Sequence, residues 1–145
     1  MPIRVLFVCT HNSARSQIAE AILQREGGSD FEAHSAGSAA TVVKPLTIQV
    51  LGELGIDWTG ARSKTTEAFR GQRFDYVVTV CDQARETCPY FPGATHRMHW
   101  SIDDPSEVDG TDAERLAAFR ATTREIASRL DGFIAEARSI RDDAS

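Results

Sequence analysis

The spacing of apolar residues changes along the chain, and each change marks an element. Residues 4–8 (Arg4-Val5-Leu6-Phe7-Val8) are apolar after the arginine, as in a central parallel strand covered on both faces. Residues 9–16 turn polar and read as a loop. Ile18, Ala21 and Ile22 then share a helical face within residues 14–25, and Gly27-Gly28 ends that helix. Residues 31–36 form a second strand, closed by Gly37. Pro45 suits the first turn of a second helix, in which Leu46, Val50 and Leu54 share a face and Gly55 lies just past the end. A short helical segment is predicted over 65–69. Residues 76–80 (Tyr76-Val77-Val78-Thr79-Val80) are again nearly all apolar, and residues 95–99 make a weaker fourth strand.

The last helix carries the strongest pattern. Thr111 and Glu114 have capping-box spacing. Leu116, Phe119, Ile126, Leu130, Phe133, Ile134 and Ala137 follow at three- and four-residue intervals. Strands alternating with helices predict an α/β fold with a largely parallel sheet. Nothing in the chain reads as a repeat or linker. One α/β domain is therefore expected over residues 1–140, with residues 141–145 as a frayed tail.

Composition narrows the function classes. The 145 residues are 41% hydrophobic and 26% charged, an ordinary globular balance that argues against disorder. No apolar run approaches the ~20 residues of a membrane span. Met1 leads directly into a strand, so no signal peptide is expected and the cytoplasm is the expected location. Residues 1–102 hold ten Lys/Arg and ten Asp/Glu, whereas residues 103–145 hold six Arg and eleven acids. The net charge of −5 thus sits in the last part of the chain. A nucleic-acid binder would show a basic face instead. Nothing in the pattern demands an obligate interface, so a monomer is expected.

The chemistry begins with the cysteines. Cys9, Cys81 and Cys88 are odd in number, and a reducing compartment disfavours structural pairing. Each needs its own explanation. Cys9-Thr10-His11-Asn12-Ser13-Ala14-Arg15-Ser16 lies between a buried strand and a helix. Open α/β sheets place ligands at such strand ends. The helix amino-terminus offers unpaired N–H groups to a tetrahedral oxyanion and to a thiolate. Arg15 follows Cys9 after five residues, enough for the loop to curl round one oxyanion with sulfur below and a bidentate guanidinium beside it. Asn12 tolerates the left-handed conformation that such a curl needs.

Residues 5–17, Val5-Leu6-Phe7-Val8-Cys9-Thr10-His11-Asn12-Ser13-Ala14-Arg15-Ser16-Gln17, resemble the signature of low-molecular-weight tyrosine phosphatases and of the arsenate reductases that share their fold. The resemblance continues through Ser35-Ala36-Gly37, the strand before Cys81, and Asp103-Asp104-Pro105, covering nearly the whole chain. It implies a four-stranded parallel sheet of order 2-1-3-4 with helices on both faces. It implies Cys9 as nucleophile, residues Thr10, His11, Asn12, Ser13, Ala14, Arg15 and Ser16 as the oxyanion cradle, and Asp104 as the general acid that protonates the leaving group.

Cys81 and Cys88 separate the two branches. Their own context leaves open inert thiols, or a zinc set with His96 and His99, although that spacing matches no common zinc pattern. A rigid helix between them would hold them too far apart to pair, so a disulfide requires rearrangement. Thioredoxin-coupled arsenate reductases have a cysteine pair here. The resemblance therefore implies reduction of arsenate to arsenite by a three-thiol relay, with thioredoxin as reductant and no metal or flavin cofactor. Phosphate or sulfate would fit the same loop. Gln17 stands where the phosphatases usually have proline, and Ser106 where they place aromatic residues; both favour the reductase. The alternative is a phosphomonoesterase working through a phosphocysteine. An oxyanion-binding or redox-sensing adaptor would need no general acid.

Two departures change details. Ala14 stands where many arsenate reductases have cysteine. Some relatives hold potassium through residues matching Asn12, Glu20 and Ser35 and a further Asp, but that position is Lys64 here. The expectation is that the Lys64 ammonium takes the ion's place beside Glu20.

Overall fold

The computed structural model describes residues 1–81 and 94–144. In β1 (Ile3–Cys9) every residue except Arg4 is buried, which places this strand at the centre of the sheet. It pairs in parallel with β2 (Phe31–Gly37) on one side and β3 (Tyr76–Thr79) on the other. β4 (His96–His99) pairs in parallel with β3, giving the order β2-β1-β3-β4. The expected order 2-1-3-4 is thus the observed one. The chain leaves β1 toward β2 on one side, then returns past β1 to β3. A crevice opens at the carboxyl ends where such an order reverses. Val8 is paired with Thr79, so Cys9 and Cys81 emerge from neighbouring strands at that crevice.

Among the described residues the α-helices are α1 (Arg15–Gly27), α2 (Pro45–Glu53) and α3 (Asp112–Ala144). Gly28, at φ 58°, stops α1 where a residue with a Cβ would be strained. Thr111 and Glu114 exchange the bonds of a capping box: Glu114 N–H donates to Thr111 Oγ1 (3.1 Å), and Thr111 N–H to Glu114 Oε1 (3.3 Å). Phe133 of α3 packs on one sheet face against Phe31, Tyr76 and Trp100, with ring centroids 6.1, 5.0 and 6.0 Å away. His34, three residues on from Phe31, points to the opposite face. There it meets Phe69 and Phe74, and a 3-10 turn (Thr66–Phe69) covers that side.

The tail departs from expectation. Fraying from Arg141 is corrected by a helix that continues to Ala144. Arg138 and Arg141 both bond the Asp30 carboxylate, at 2.9 and 3.0 Å, and tie the last turns of α3 to the segment before β2. No described helix is long and apolar enough to cross a membrane.

Candidate active site

Residues 9–14 form a loop held from outside. The carbonyl of Cys9 accepts from Ser38 N–H, that of Thr10 from Ala39 N–H, and that of His11 from Thr41 N–H. The Asn12 carbonyl accepts from the Ser63 hydroxyl, and the Ser13 carbonyl from Lys44 N–H and the Thr47 hydroxyl. In a planar trans peptide the C=O and the following N–H point opposite ways. With the carbonyls turned outward, the N–H groups face the loop interior. The curl turns at Asn12, whose φ is 52°. Gly37 lies against it so closely that a Cβ there would stand 2.6 Å from the Thr10 carbonyl oxygen and 2.8 Å from the Asn12 nitrogen.

Cys9 sits at the floor of this loop, buried. Its sulfur accepts from Asn12 N–H at 3.2 Å and lies 2.8 Å from Ser16 Oγ. Ser16 Oγ in turn accepts from Asn12 Nδ2 at 2.8 Å. With both Asn12 protons committed outward, the Ser16 hydroxyl proton is left for the sulfur. α1 begins at Arg15 after Ala14, a residue that can supply no side-chain cap, and no acid stands in the helix's first turn. The amino-terminus is thus open to an anion. Ser13 is buried within the loop, while His11 is exposed, its ring 3.4 Å from the Ala39 carbonyl, and lines the same cleft as Thr10 and Arg15.

Arg15 donates to the Ile102 carbonyl at 2.8 Å and faces Asp104, with 3.5 Å between nitrogen and carboxylate oxygen. Asp104 caps a 3-10 turn (Pro105–Glu107), and its Oδ1 accepts from Ser106 N–H at 2.9 Å and the Ser106 hydroxyl at 2.6 Å. Burial pushes its acidity toward the neutral form. The Ser106 bonds and the charges of Arg15 and Lys44 outweigh that and hold it below the usual carboxylate range. Ser106 stood out in the sequence only as a missing aromatic. Asp-Pro-Ser is also a cap signature, and that signal would have found its role.

Cys81 lies one residue beyond the level of Cys9 on β3's side of the crevice. It is buried, with its sulfur 3.3 Å from the Thr10 hydroxyl. Thr10, Arg15, Cys81 and Asp104 line one polar cleft of about 250 Å3, together with Ser101 and Glu107. Cys88 lies outside the described residues. His96 stacks on Tyr76 at 4.6 Å and His99 bonds the Thr79 hydroxyl at 2.7 Å. Among the described residues no three His, Cys, Asp or Glu side chains are grouped to hold a metal ion.

Glu20 and Ser35 lie behind the loop. The Ser35 hydroxyl donates to Glu20 Oε1, and Asn12 Nδ2 donates to Ser35 Oγ at 2.9 Å. Lys64 Nζ stands 3.6 Å from Glu20 Oε1. These residues do not fit a potassium ion: Asn12 turns its nitrogen toward Ser35, and an ammonium already faces the carboxylate. Sequence reasoning missed Ser63 and Thr47, which hold loop carbonyls, and Trp58, whose indole donates to Gln17 Oε1 at 2.8 Å. They lie far from the loop in sequence, and no local pattern marks them.

Residues 4–143 match the low molecular weight phosphotyrosine protein phosphatase family. An arsenate reductase of Halalkalibacterium halodurans is 39% identical over 129 residues, spanning 89% of this chain and 93% of that protein. A solved arsenate reductase in a phosphate-binding state superposes with a TM-score of 0.80 at 29% identity, covering 92% of this chain and 98% of that one. A thioredoxin-dependent arsenate reductase of Corynebacterium glutamicum gives a TM-score of 0.61 at 33% identity, over 90% of this chain and 63% of that one.

Proposed function

This chain belongs to the low molecular weight phosphotyrosine protein phosphatase family, and we propose that it reduces arsenate to arsenite. The observation that carries the reading is the second thiol. A phosphatase of this design needs one cysteine, yet Cys81 lines the same cleft as Arg15 and Asp104. The similarity to arsenate reductases over most of both chains supports the same choice.

In the proposed reaction the loop N–H groups and Arg15 hold the arsenate oxygens. The Cys9 thiolate attacks arsenic, and one oxygen leaves as water after taking a proton from Asp104. In the free protein Asp104 is a carboxylate facing Arg15. Bound oxyanion competes for that guanidinium and brings negative charge to the carboxylate, which favours its protonated form. Cys81 then attacks the Cys9 sulfur. An S–S bond forms, the S–As bond breaks, and its electron pair stays on arsenic, which departs as arsenite. Cys88 attacks Cys81, frees the Cys9 thiolate and moves the disulfide to Cys81–Cys88. Thioredoxin, reducing that disulfide, supplies the two electrons. The likeness to a thioredoxin-dependent relative supports that partner.

The test compares arsenate-dependent NADPH consumption, coupled through thioredoxin and its reductase, with aryl phosphate hydrolysis. Arsenate turnover should dominate and vanish in Cys81→Ser, while slow phosphatase activity, which shares the first step, survives. Dominant phosphatase turnover indifferent to Cys81 overturns the reading. Replacing thioredoxin by a glutaredoxin system identifies the reductant.

A further inference from the structure

Gln17 is fully buried, yet its side-chain amide is polar at both ends. Every bond it makes has a forced direction. Trp58 Nε1–H, which can only donate, gives its proton to Gln17 Oε1 at 2.8 Å. Gln17 Nε2 must therefore face acceptors. It donates to Asn12 Oδ1 at 2.8 Å, with the Asn12 carbonyl at 3.2 Å and the Arg62 carbonyl at 3.0 Å. Lys64 N–H also donates to Asn12 Oδ1, at 2.8 Å. The Asn12 amide is thereby turned so that Nδ2 meets Ser16 Oγ, which delivers the Ser16 proton to Cys9.

We infer that Gln17, braced by Trp58, is a positioning residue for the Cys9 thiolate. The chain Trp58→Gln17→Asn12→Ser16→Cys9 is one run of donors, all aimed at the sulfur. Bonds aligned in series polarise one another, so a negative charge at the end strengthens the whole run. Gln17 also grips Asn12 at both its main-chain and its side-chain carbonyl, where the loop takes its left-handed turn. The nucleophile is thus set from a residue that does not touch the sulfur and reaches it only through Asn12 and Ser16. The inference rests on Cys9 being the nucleophile of the proposed reaction.

Gln17→Met keeps the shape and removes the amide. It leaves few orphans: the Asn12 carbonyl retains Ser63, the Arg62 carbonyl retains Lys64 Nζ, and Asn12 Oδ1 retains Lys64 N–H. Trp58 is half-buried, so its N–H can reach water. The readout is alkylation of Cys9 by iodoacetamide in the full chain carrying Cys81→Ser and Cys88→Ser. Its rate at pH 6 is divided by its rate at pH 9. Gln17→Met should lower this ratio about threefold, the weight of part of one hydrogen bond. Trp58→Phe, a milder change, should lower it less and in the same direction. Altered access to the thiol would move both rates alike and leave the ratio fixed. A ratio unchanged in both variants overturns the inference, as does a change shared equally by the two pH values. Circular dichroism identifies a variant that fails to fold, and Trp58→Phe then decides alone. The assay uses no arsenate, so its outcome is separate from that of the reductase reading.

Discussion

The Arg15 guanidinium and the Asp104 carboxylate face one another at 3.5 Å across the mouth of the Cys9 loop. Each is also the other's competitor, because Arg15 must hold the oxyanion and Asp104 must release a proton to it. Asp104→Asn separates the two duties. The variant frees Arg15 and removes a negative charge, so phosphate should bind more tightly, by about threefold. Its arsenate turnover should fall about 100- to 10,000-fold for want of the acid. Phosphate binding by calorimetry and single-turnover kinetics read the two effects. Weaker binding with unchanged turnover would remove Asp104 from both roles.

Gly37 supports the loop by having no side chain. A Cβ at that position would press on main-chain atoms of Thr10, His11 and Asn12, all closer than 3.0 Å. Main chain cannot swing aside as a long side chain can, so the loop itself must shift. Gly37→Ala should therefore weaken phosphate binding more than tenfold, about 1.4 kcal/mol or more. The sheet should persist, because Gly37 is the last residue of β2 and the crowded atoms of Thr10, His11 and Asn12 lie past the end of β1. A titration with inorganic phosphate beside a far-ultraviolet spectrum checks both parts.

Much of this was legible along the chain, and the boundary of legibility has a physical cause. β1, the Cys9 loop and α1 are contiguous, so one stretch of sequence encodes strand, turn and helix start together. The position of Asn12 at the left-handed turn followed from its residue type. The order of the strands came from resemblance, since pairing is long-range and leaves little local mark. Ser63 and Thr47 bond the loop, and Trp58 bonds Gln17 of α1, all from distant segments, and hydrogen bonds across such separations have no sequence period. The end of α3 was misjudged for the same reason: Asp30, more than 100 residues away, anchors Arg138 and Arg141.

That anchor carries a pH dependence. Bonds from Arg141 and Arg138 lower the pKa of Asp30 from its ordinary value of 3.8. A carboxylate so depressed contributes stability that is fully present above the unfolded value and lost as pH falls through the lower folded value. Protection of the last turns of α3 against hydrogen exchange, taken relative to the intrinsic rate at each pH, should be high at neutral pH and fall as pH drops below about 3.8. In Asp30→Asn that protection should already be low at neutral pH, and the difference between the two proteins should close in acid. Equal exchange at neutral pH would mean that the apolar face of α3 suffices to hold its end.

Lys64 and Glu20 make a similar local argument behind the loop. Glu20 is buried, and the ammonium of Lys64 lies 3.6 Å from it. Arsenate turnover should therefore differ by less than about twofold between sodium and potassium buffers, a free-energy difference below about 0.4 kcal/mol. Lys64→Gln leaves the carboxylate without its cation, which lowers the melting temperature. Strong potassium activation of the unaltered protein would contradict the role given to Lys64.

The relay makes the sharpest demand on Cys88. Cys81 and the Cys9 loop share the crevice between β1 and β3, and the Thr10 hydroxyl touches the Cys81 sulfur. Attack of Cys81 on Cys9 therefore involves groups already gathered at one strand edge. Passing the disulfide onward needs a third thiol. Cys88→Ser should release one arsenite per chain and stop, with Cys9 and Cys81 joined. Peptide mapping under non-reducing conditions would find that bridge, and free-thiol titration would find none left. The Cys81→Ser protein should not reach this point: it should release no arsenite in a single turnover, while still hydrolysing aryl phosphate slowly. If Cys88→Ser continued to turn over with thioredoxin at the unaltered rate, the reductant would be acting on the Cys9–Cys81 bond directly, and the three-thiol scheme would reduce to two.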